Sequence, residues 1–276
     1  METITLPDIR KMSGFSPSRR ILVLGCGGTG AYVAGHLARL IMSLNSERSS
    51  YDSISLVLAD GDKVERKNLE RQHFVQRDLD TNKAEALARR YSSAFGLQID
   101  VIPSYLEDED SIRKTDIDMV IGCVDNNASR KIVHEWMLNS RSREKFWVDC
   151  GNEESSGQVV CGFSPNRHIY GSSRSNSFSL PMVTEIYPGL LSSDGKFNSQ
   201  LSCAELAQSA PQNMMANITA ASIALNFVQC VLRGKPLMSH GVVFSVDNSF
   251  RTILNTPENL AKVNKERLRS WETTEI

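Results

Sequence analysis

The chain has 276 residues, 31 Lys and Arg against 32 Asp and Glu, and a formal net charge of −1 at pH 7. With 41% hydrophobic and 23% charged residues, it has room for a large buried core, and a disordered, collagen-like or disulfide-dense chain is excluded. Balanced charge argues against a global field for nucleic acid.

The first 20 residues mix charge and polarity and lack the apolar core of a signal peptide. Ile21 to Leu24 then reads as a strand and runs directly into Gly25-Cys26-Gly27-Gly28-Thr29-Gly30. A helical pattern continues to about Ser43, a polar loop covers 45–53, and a second strand from Ile54 to Leu58 ends at Ala59-Asp60. The charged segment Lys63 to Gln72 precedes a helix from Lys83 to Phe95, whose start is marked by Asn82 as N-cap and Glu85 three residues on. Ile99 to Ile102 and Met119 to Val124 read as strands, the second ending on Asp125. A helix from Ala128 to Leu138 leads to a strand at Phe146 to Val148. Strands alternating with helices imply a Rossmann-like, doubly wound, mostly parallel sheet.

After residue 150 the pattern changes. Gln158 to Phe163 and Arg167 to Tyr170 read as short strands, and 171–204 as a long crossing segment. Gln212 to Leu232 reads as a helix. Asn217, Asn226 and Gln229 interrupt its apolar run, short of the ~18 apolar residues a membrane span needs. Gly241 to Val246 and Thr252 to Leu254 form a closing hairpin, an antiparallel C-terminal extension of the α/β sheet, and 262–276 reads as a charged helix or tail. The expectation is one domain over 1–276, with a nucleotide-binding half (18–150), a C-terminal half (151–254) and a tail (255–276). It is expected in the cytoplasm, without membrane or nucleic-acid contacts.

Cysteines stand at 26, 123, 150, 161, 203 and 230. No pair has the C-x-x-C spacing of a structural zinc site, so free thiols and no structural zinc are expected.

The glycine loop sits where a strand turns into a helix, the context that gives G-x-G-x-x-G meaning. Gly25 permits the tight turn, Gly27 and Gly28 let backbone approach a phosphate, and Gly30 lets helix and sheet pack closely. The alternative is a βα turn that only packs. Asp60, at the end of the second strand, occupies the place of a ribose-binding carboxylate, although 30 residues separate it from Gly30 where about 20 is usual. Asp62, Asn68, Arg71 and Gln72 follow closely. Lys83 stands in the first turn of its helix, where the dipole disfavours a cation. A lysine there suits a polyphosphate neighbour, and one that points away to solvent is the alternative. Asp125 shares the C-terminal strand edge, and a carboxylate beside a triphosphate is a natural Mg²⁺ ligand.

Gly25-x-Gly27-Gly28-x-Gly30, Asp60-Gly61-Asp62-x-Val64-x-x-x-Asn68-Leu69-x-Arg71-Gln72, Asn82-Lys83-Ala84-Glu85 and Cys123-Val124-Asp125-Asn126, in this order, resemble the ThiF/MoeB/ubiquitin-activating-enzyme superfamily. Trp147-Val148-Asp149-Cys150-Gly151-Asn152, Ser156-Gly157-Gln158-Val159, Pro181-x-Val183-Thr184-Glu185 and Ser202-Cys203-Ala204-Glu205 narrow the resemblance to PRTRC-type ThiF proteins, with relatives in bacterial ubiquitin-like conjugation operons. It covers roughly residues 20–254.

The resemblance implies ATP- and Mg²⁺-dependent adenylation of the C-terminal glycine carboxylate of a ubiquitin-like protein. Asp60 would bind the ribose. Asn68, Arg71 and Lys83 would hold the phosphates, with Gln72 in support, and Asp125 would ligate Mg²⁺. Cys203 is the acceptor candidate for a later thioester or persulfide, with Cys150 behind it and a purely structural role for both as the alternative. A thioester would pass to a conjugating enzyme, and a homodimer is expected by analogy.

Two features depart from the family pattern. The paired C-x-x-C zinc motifs are absent, and the N-terminal arginine that reaches a partner's site in some relatives has only Arg10, Arg19 and Arg20 as stand-ins. Three alternatives stay open: an NAD-dependent oxidoreductase, a non-catalytic adaptor or heterodimer half, and an adenylating enzyme acting on a short peptide or sulfur carrier. The first would leave Arg71, Lys83 and Asp125 without a role.

Overall fold

The structure is a computed structural model that describes residues 19–47, 53–139, 144–164, 179–192, 213–235, 237–247 and 249–254. Its elements run β1 (Arg19–Leu24), α1 (Gly28–Ser46), β2 (Ile54–Ala59), α2 (Lys83–Phe95), β3 (Ile99–Ile102), α3 (Glu109–Arg113), β4 (Met119–Gly122), α4 (Asn127–Leu138), β5 (Lys145–Asn152), β6 (Ser156–Ser164), α5 (Val183–Ile186), α6 (Gly189–Ser192), α7 (Met214–Leu232), β7 (Ser239–Ser245) and β8 (Ser249–Leu254). Short 3-10 turns at Arg66–Asn68 and Gln76–Asp78 lie between β2 and α2.

All eight strands join one sheet in the order β3-β2-β1-β4-β5-β6-β7-β8. The first five pair in parallel and the last three add on antiparallel. This is the Rossmann-like α/β sheet with an antiparallel extension that the sequence predicts. Chain order reverses direction across the sheet between β1 and β4, the switch point at which such sheets hold ligands.

The central strands are apolar on both faces because helices cover both. One face packs Ile21, Val23, Leu56 and Leu58 against α1, α2 and α7, and the other packs Leu22, Val57 and Val120 against α4. Asn82 caps α2 by accepting from the Ala84 and Glu85 backbone N–H groups at 2.9 and 3.2 Å, and Gly96 ends the helix at φ 64°.

Several elements exceed their sequence-based bounds. β5 runs on to Asn152 because its polar end, Asp149 to Asn152, continues pairing with β6. α1 extends to Ser46. The strand expected at Arg167 to Tyr170, most of the crossing segment, Cys203 and the tail at 262–276 lie outside the described residues.

α7 is long and apolar enough to cross a membrane by length and composition, with a mean hydropathy of 1.5. That corrects the expectation that its polar interruptions disqualify it. Ala216, Ala220, Ala224, Phe227 and Val231 nevertheless form a buried stripe at helical spacing against α1 and the sheet, the arrangement of a core helix.

Candidate active site

The C-terminal ends of β1, β2, β4 and β5 open into a cleft of about 660 Å³, within the size range of small-ligand sites. Gly25, Gly27, Gly28, Asp60, Asp62, Arg71, Gln72, Lys83 and Asp125 all line it. Residues spaced over a hundred positions of sequence thus share one rim.

The glycine loop is shaped by close approach. Gly25 adopts φ +87° directly above the Cys123 carbonyl, and a Cβ on Gly30 would run into the Gly25 carbonyl oxygen. Helix α1 begins at Gly28 with no side chain capping its first turn, so the cleft faces uncapped N–H donors.

Asp60 fastens this loop to β2. One carboxylate oxygen accepts the Cys26 N–H at 2.6 Å and the other the Asp62 N–H at 2.8 Å. Burial pushes its carboxyl above the usual range, against the pull of Lys83 and the two backbone donors.

Lys83 does not point away. It is 7% exposed, and its ammonium donates to Asp62 at 2.8 Å. Tyr105 also donates to Asp62, with its ring packed where a Cβ on Gly61 would lie. Burial raises the Asp62 carboxyl, but Lys83, Tyr105 and Lys67 outweigh it and hold the group below its ordinary value. The carboxylate that steadies Lys83 therefore offsets the dipole penalty of a cation in the first turn.

Arg71 lines the cleft, and its guanidinium has no hydrogen-bond or ion-pair partner among the described residues. The same is true of the exposed Asp125 carboxylate in the turn that follows β4. Gln72 also lines the cleft, and its Oε1 is buried without a partner among the described residues.

Asn68 is not brought into the cleft. It is 3% exposed, and its side-chain oxygen accepts the Glu65 N–H at 2.8 Å, tying its own 3-10 turn.

No group of three or more His, Cys, Asp or Glu among the described residues could hold a metal ion. The cleft carboxylate of Asp125 is the kind of ligand Mg²⁺ takes, since that ion keeps several waters and binds one or two carboxylates plus substrate phosphates.

Among the cleft residues that sequence reasoning missed, Tyr105, Arg130, Asn152 and Asn217 stand out. Tyr105 follows β3. Arg130, on α4, donates through Nε to both oxygens of the fully buried Asp149 at 3.2 Å and through Nη2 to the Val124 carbonyl at 2.9 Å. Asn152 ends β5, and Asn217 reaches in from α7. Asn152 and Asn217 had a visible signal, since one closes a quoted motif and the other breaks the apolar run of its helix.

The described cysteines are all free. Cys123 lines the cleft, but its contact with Cys150, together with burial, pushes its thiol well above the usual value. Burial does the same to Cys26. Arg19 and Arg20 sit at the opposite edge of the sheet, paired with Glu144 at 3.4 Å and Asp100 at 2.5 Å, which takes both away from the cleft. Arg10 lies outside the described residues.

A profile of the ThiF family matches residues 16–264. Among solved structures, E. coli MccB bound to ATP superposes with a TM-score of 0.58 at 16% identity, covering 91% of this chain and 67% of MccB. MccB with succinimide gives 0.57 at 18% identity, covering 90% of this chain and 66% of that one, so the chain spans about two thirds of MccB. PaaA gives 0.58 at 17% identity, covering 87% of this chain and 74% of PaaA. At these identities the likeness establishes a shared fold. No curated protein matches significantly.

Proposed function

The chain belongs to the ThiF family, and from that premise we propose that it is an ATP-dependent adenylating enzyme acting in the cytoplasm. The observation that carries this reading is the convergence of the glycine loop, Arg71, Lys83 and Asp125 on one cleft at the strand ends. MccB has been solved with ATP and with AMPCPP together with MccA, which supports a nucleotide and an acyl partner in a cleft of this fold.

The acyl substrate is the C-terminal glycine carboxylate of a ubiquitin-like protein. One of its oxygens attacks the α-phosphorus, the bond to the β-phosphate oxygen breaks, and pyrophosphate leaves with the bonding electrons. The substrate carboxylate is its own nucleophile, so no general base is needed. The protein's work is in-line positioning and neutralisation of charge.

Asp60 holds the ribose, with both its oxygens oriented by backbone donors. Uncapped α1 amides, Lys83 and Arg71, which has no partner among the described residues, face the phosphates. Gln72, with its buried free oxygen, supports that wall. Asp125 would hold Mg²⁺, which supplies charge neutralisation on the phosphates. Asn68 contributes by shaping the segment that delivers Arg71, because the Arg71 and Gln72 N–H groups both donate to its carbonyl.

After adenylation the Cys203 thiolate attacks the acyl carbon, the acyl–phosphate bond breaks and AMP leaves, and the resulting thioester is handed to a conjugating enzyme. The basis of this step is the motif Ser202-Cys203-Ala204-Glu205, and the high thiol values at Cys26 and Cys123 disfavour those two as acceptors. We also propose a homodimer on the family resemblance.

A second reading, adenylation of a polypeptide that is not ubiquitin-like, has one specific support: the neighbouring MccB complexes contain MccA. An NAD-dependent oxidoreductase would leave the lysine, arginine and aspartate of the cleft idle.

ATP–pyrophosphate exchange with Mg²⁺ and a ubiquitin-like protein encoded beside this gene tests the reading. Exchange that disappears in Asp125→Ala and persists in Cys203→Ala is the expected result. Binding of NAD in preference to ATP would overturn the adenylating reading, and exchange supported only by a short peptide would move the substrate to the second one.

A further inference from the structure

Asn217 is a buried polar group with half of its amide unexplained. It is 1% exposed, near the start of α7, in the C-terminal half of the chain. Its Oδ1 accepts the Thr29 hydroxyl at 3.1 Å and the Asn152 amide at 2.6 Å. Those two bonds fix the orientation of the amide from two different elements, α1 and β5. The Nδ2 atom on the other side is buried with no hydrogen-bond partner among the described residues.

The free Nδ2 lies over the glycine loop. A Cβ placed on Gly28 would be 2.5 Å from it, so glycine at this position makes room for the asparagine as well as for any ligand. Asn217 lines the same cleft as Asp60 and Lys83. Beneath it begins the 19-residue helix α1, whose first turn has no side-chain cap. Uncapped amides and the dipole make a long helix N-terminus attractive to an anion, and a buried donor left unmade demands a partner. The two features face one another.

We propose that Asn217 Nδ2 donates to a non-bridging oxygen of the nucleotide α-phosphate. Together with the first-turn amides of α1 it closes an oxyanion subsite built from both halves of the chain. This rests on the nucleotide reading above. It gives the cleft a neutral donor beside the charged Arg71 and Lys83, one that recognises phosphate without adding to the positive charge that pyrophosphate must leave.

The test uses the purified full chain with adenosine, AMP and ATP as probes in calorimetric titrations, alongside melting curves. Asn217→Asp keeps an oxygen to accept from Thr29 and Asn152 and replaces the free donor with a second acceptor. We expect it to weaken AMP and ATP by about tenfold or more, as for a lost hydrogen bond to a charged group, while adenosine binds within about twofold of wild type. Asn217→Ala removes the donor without introducing charge, should shift AMP in the same direction by a smaller factor, and serves as the readout if the aspartate variant does not fold. Unchanged AMP affinity in the folded variants overturns the proposal, and so does an equal loss of adenosine and AMP, which marks a collapsed cleft. Failure of the wild-type chain to bind any of the three probes would defeat the nucleotide reading and this subsite with it. Wild-type binding with unaffected variants would remove only the role of Asn217.

Discussion

Replacing Arg130 by Met tests how the cleft is held open from below. Arg130 and Asp149 are 7% and 0% exposed, and the guanidinium Nε bridges both carboxylate oxygens at 3.2 Å. Asp149 lies inside the sheet, in register with Gly122 on one side and Val160 on the other, and is wholly buried. Stranding a buried charge by removing its partner costs about 3–5 kcal/mol. At about 2–4 °C per kcal/mol for a chain of this size, Arg130→Met should lower Tm by roughly 6–20 °C at pH 7.5. Burial already pushes the Asp149 carboxyl up against the opposing effect of Arg130, and without the arginine the neutral acid is favoured further. Its folded pKa then stands above the unfolded value near ~3.9, so the stabilising contribution of protonation is complete below that value and lost as pH rises through the folded pKa. The deficit of Arg130→Met should therefore shrink as the pH is lowered from 7.5 toward 5. Adding Asp149→Leu should recover most of the loss at pH 7.5, because an apolar pair can replace a buried ion pair at little net cost. Urea unfolding followed by tryptophan fluorescence gives the full cycle. A single variant within about 1 kcal/mol of wild type, against the 3–5 expected of a stranded buried charge, or a double variant as damaged as the single at every pH, would refute the reasoning.

Two further outcomes follow from the structure. Gly30→Ala forces a Cβ into the Gly25 carbonyl. It should cost about 1–3 kcal/mol of stability and weaken ATP by at least about tenfold, since small displacements of a positioning loop have large effects; calorimetric titration with unchanged affinity would contradict this. Lys145, buried beside Trp136 with its ammonium donating to the Trp136 carbonyl at 2.8 Å, is pushed down to about 7, chiefly by burial. The unfolded chain then binds more protons than the folded one between about pH 7 and 10.4, so the stability of wild type relative to Lys145→Met should rise with pH across that window. A flat difference in melting temperature from pH 7 to 10 would show that the lysine titrates normally.

The parts of this molecule legible in the sequence are those whose signals are local. The run Ile21 to Leu24 followed by glycines can only be a buried strand turning into a helix, and Asn82 with Glu85 marks a helix start within four residues. The strand-end carboxylates Asp60 and Asp125 were readable because the sheet rule places strand ends in the crevice.

What escaped depends on neighbours that no local pattern names. Asn68 carries the family residue type, yet its side-chain oxygen is taken up by the Glu65 N–H of its own turn. The last four residues of β5 look like the end of a strand, and only the antiparallel β6 makes them continue. Asn217 reads as a blemish in an apolar helix. Its meaning appears when α7 is laid against α1, 188 residues away in the chain from Thr29.

That separation has a consequence for the order in which the protein acquires its ligand. The parallel strands that bear the glycine loop, Asp60 and Asp125 are made first, whereas the helix that roofs the loop is translated far later. At about 5–20 residues per second, synthesis of the intervening 188 residues takes roughly 10–40 s. Throughout that interval the nascent sheet lacks one side of its crevice, and the apolar stripe of α1 that α7 will cover is bare. A nucleotide that binds only the finished crevice stabilises the finished chain alone, by an amount that grows with its concentration over its dissociation constant. On the nucleotide reading proposed above, retention of nucleotide would report that α7 has docked.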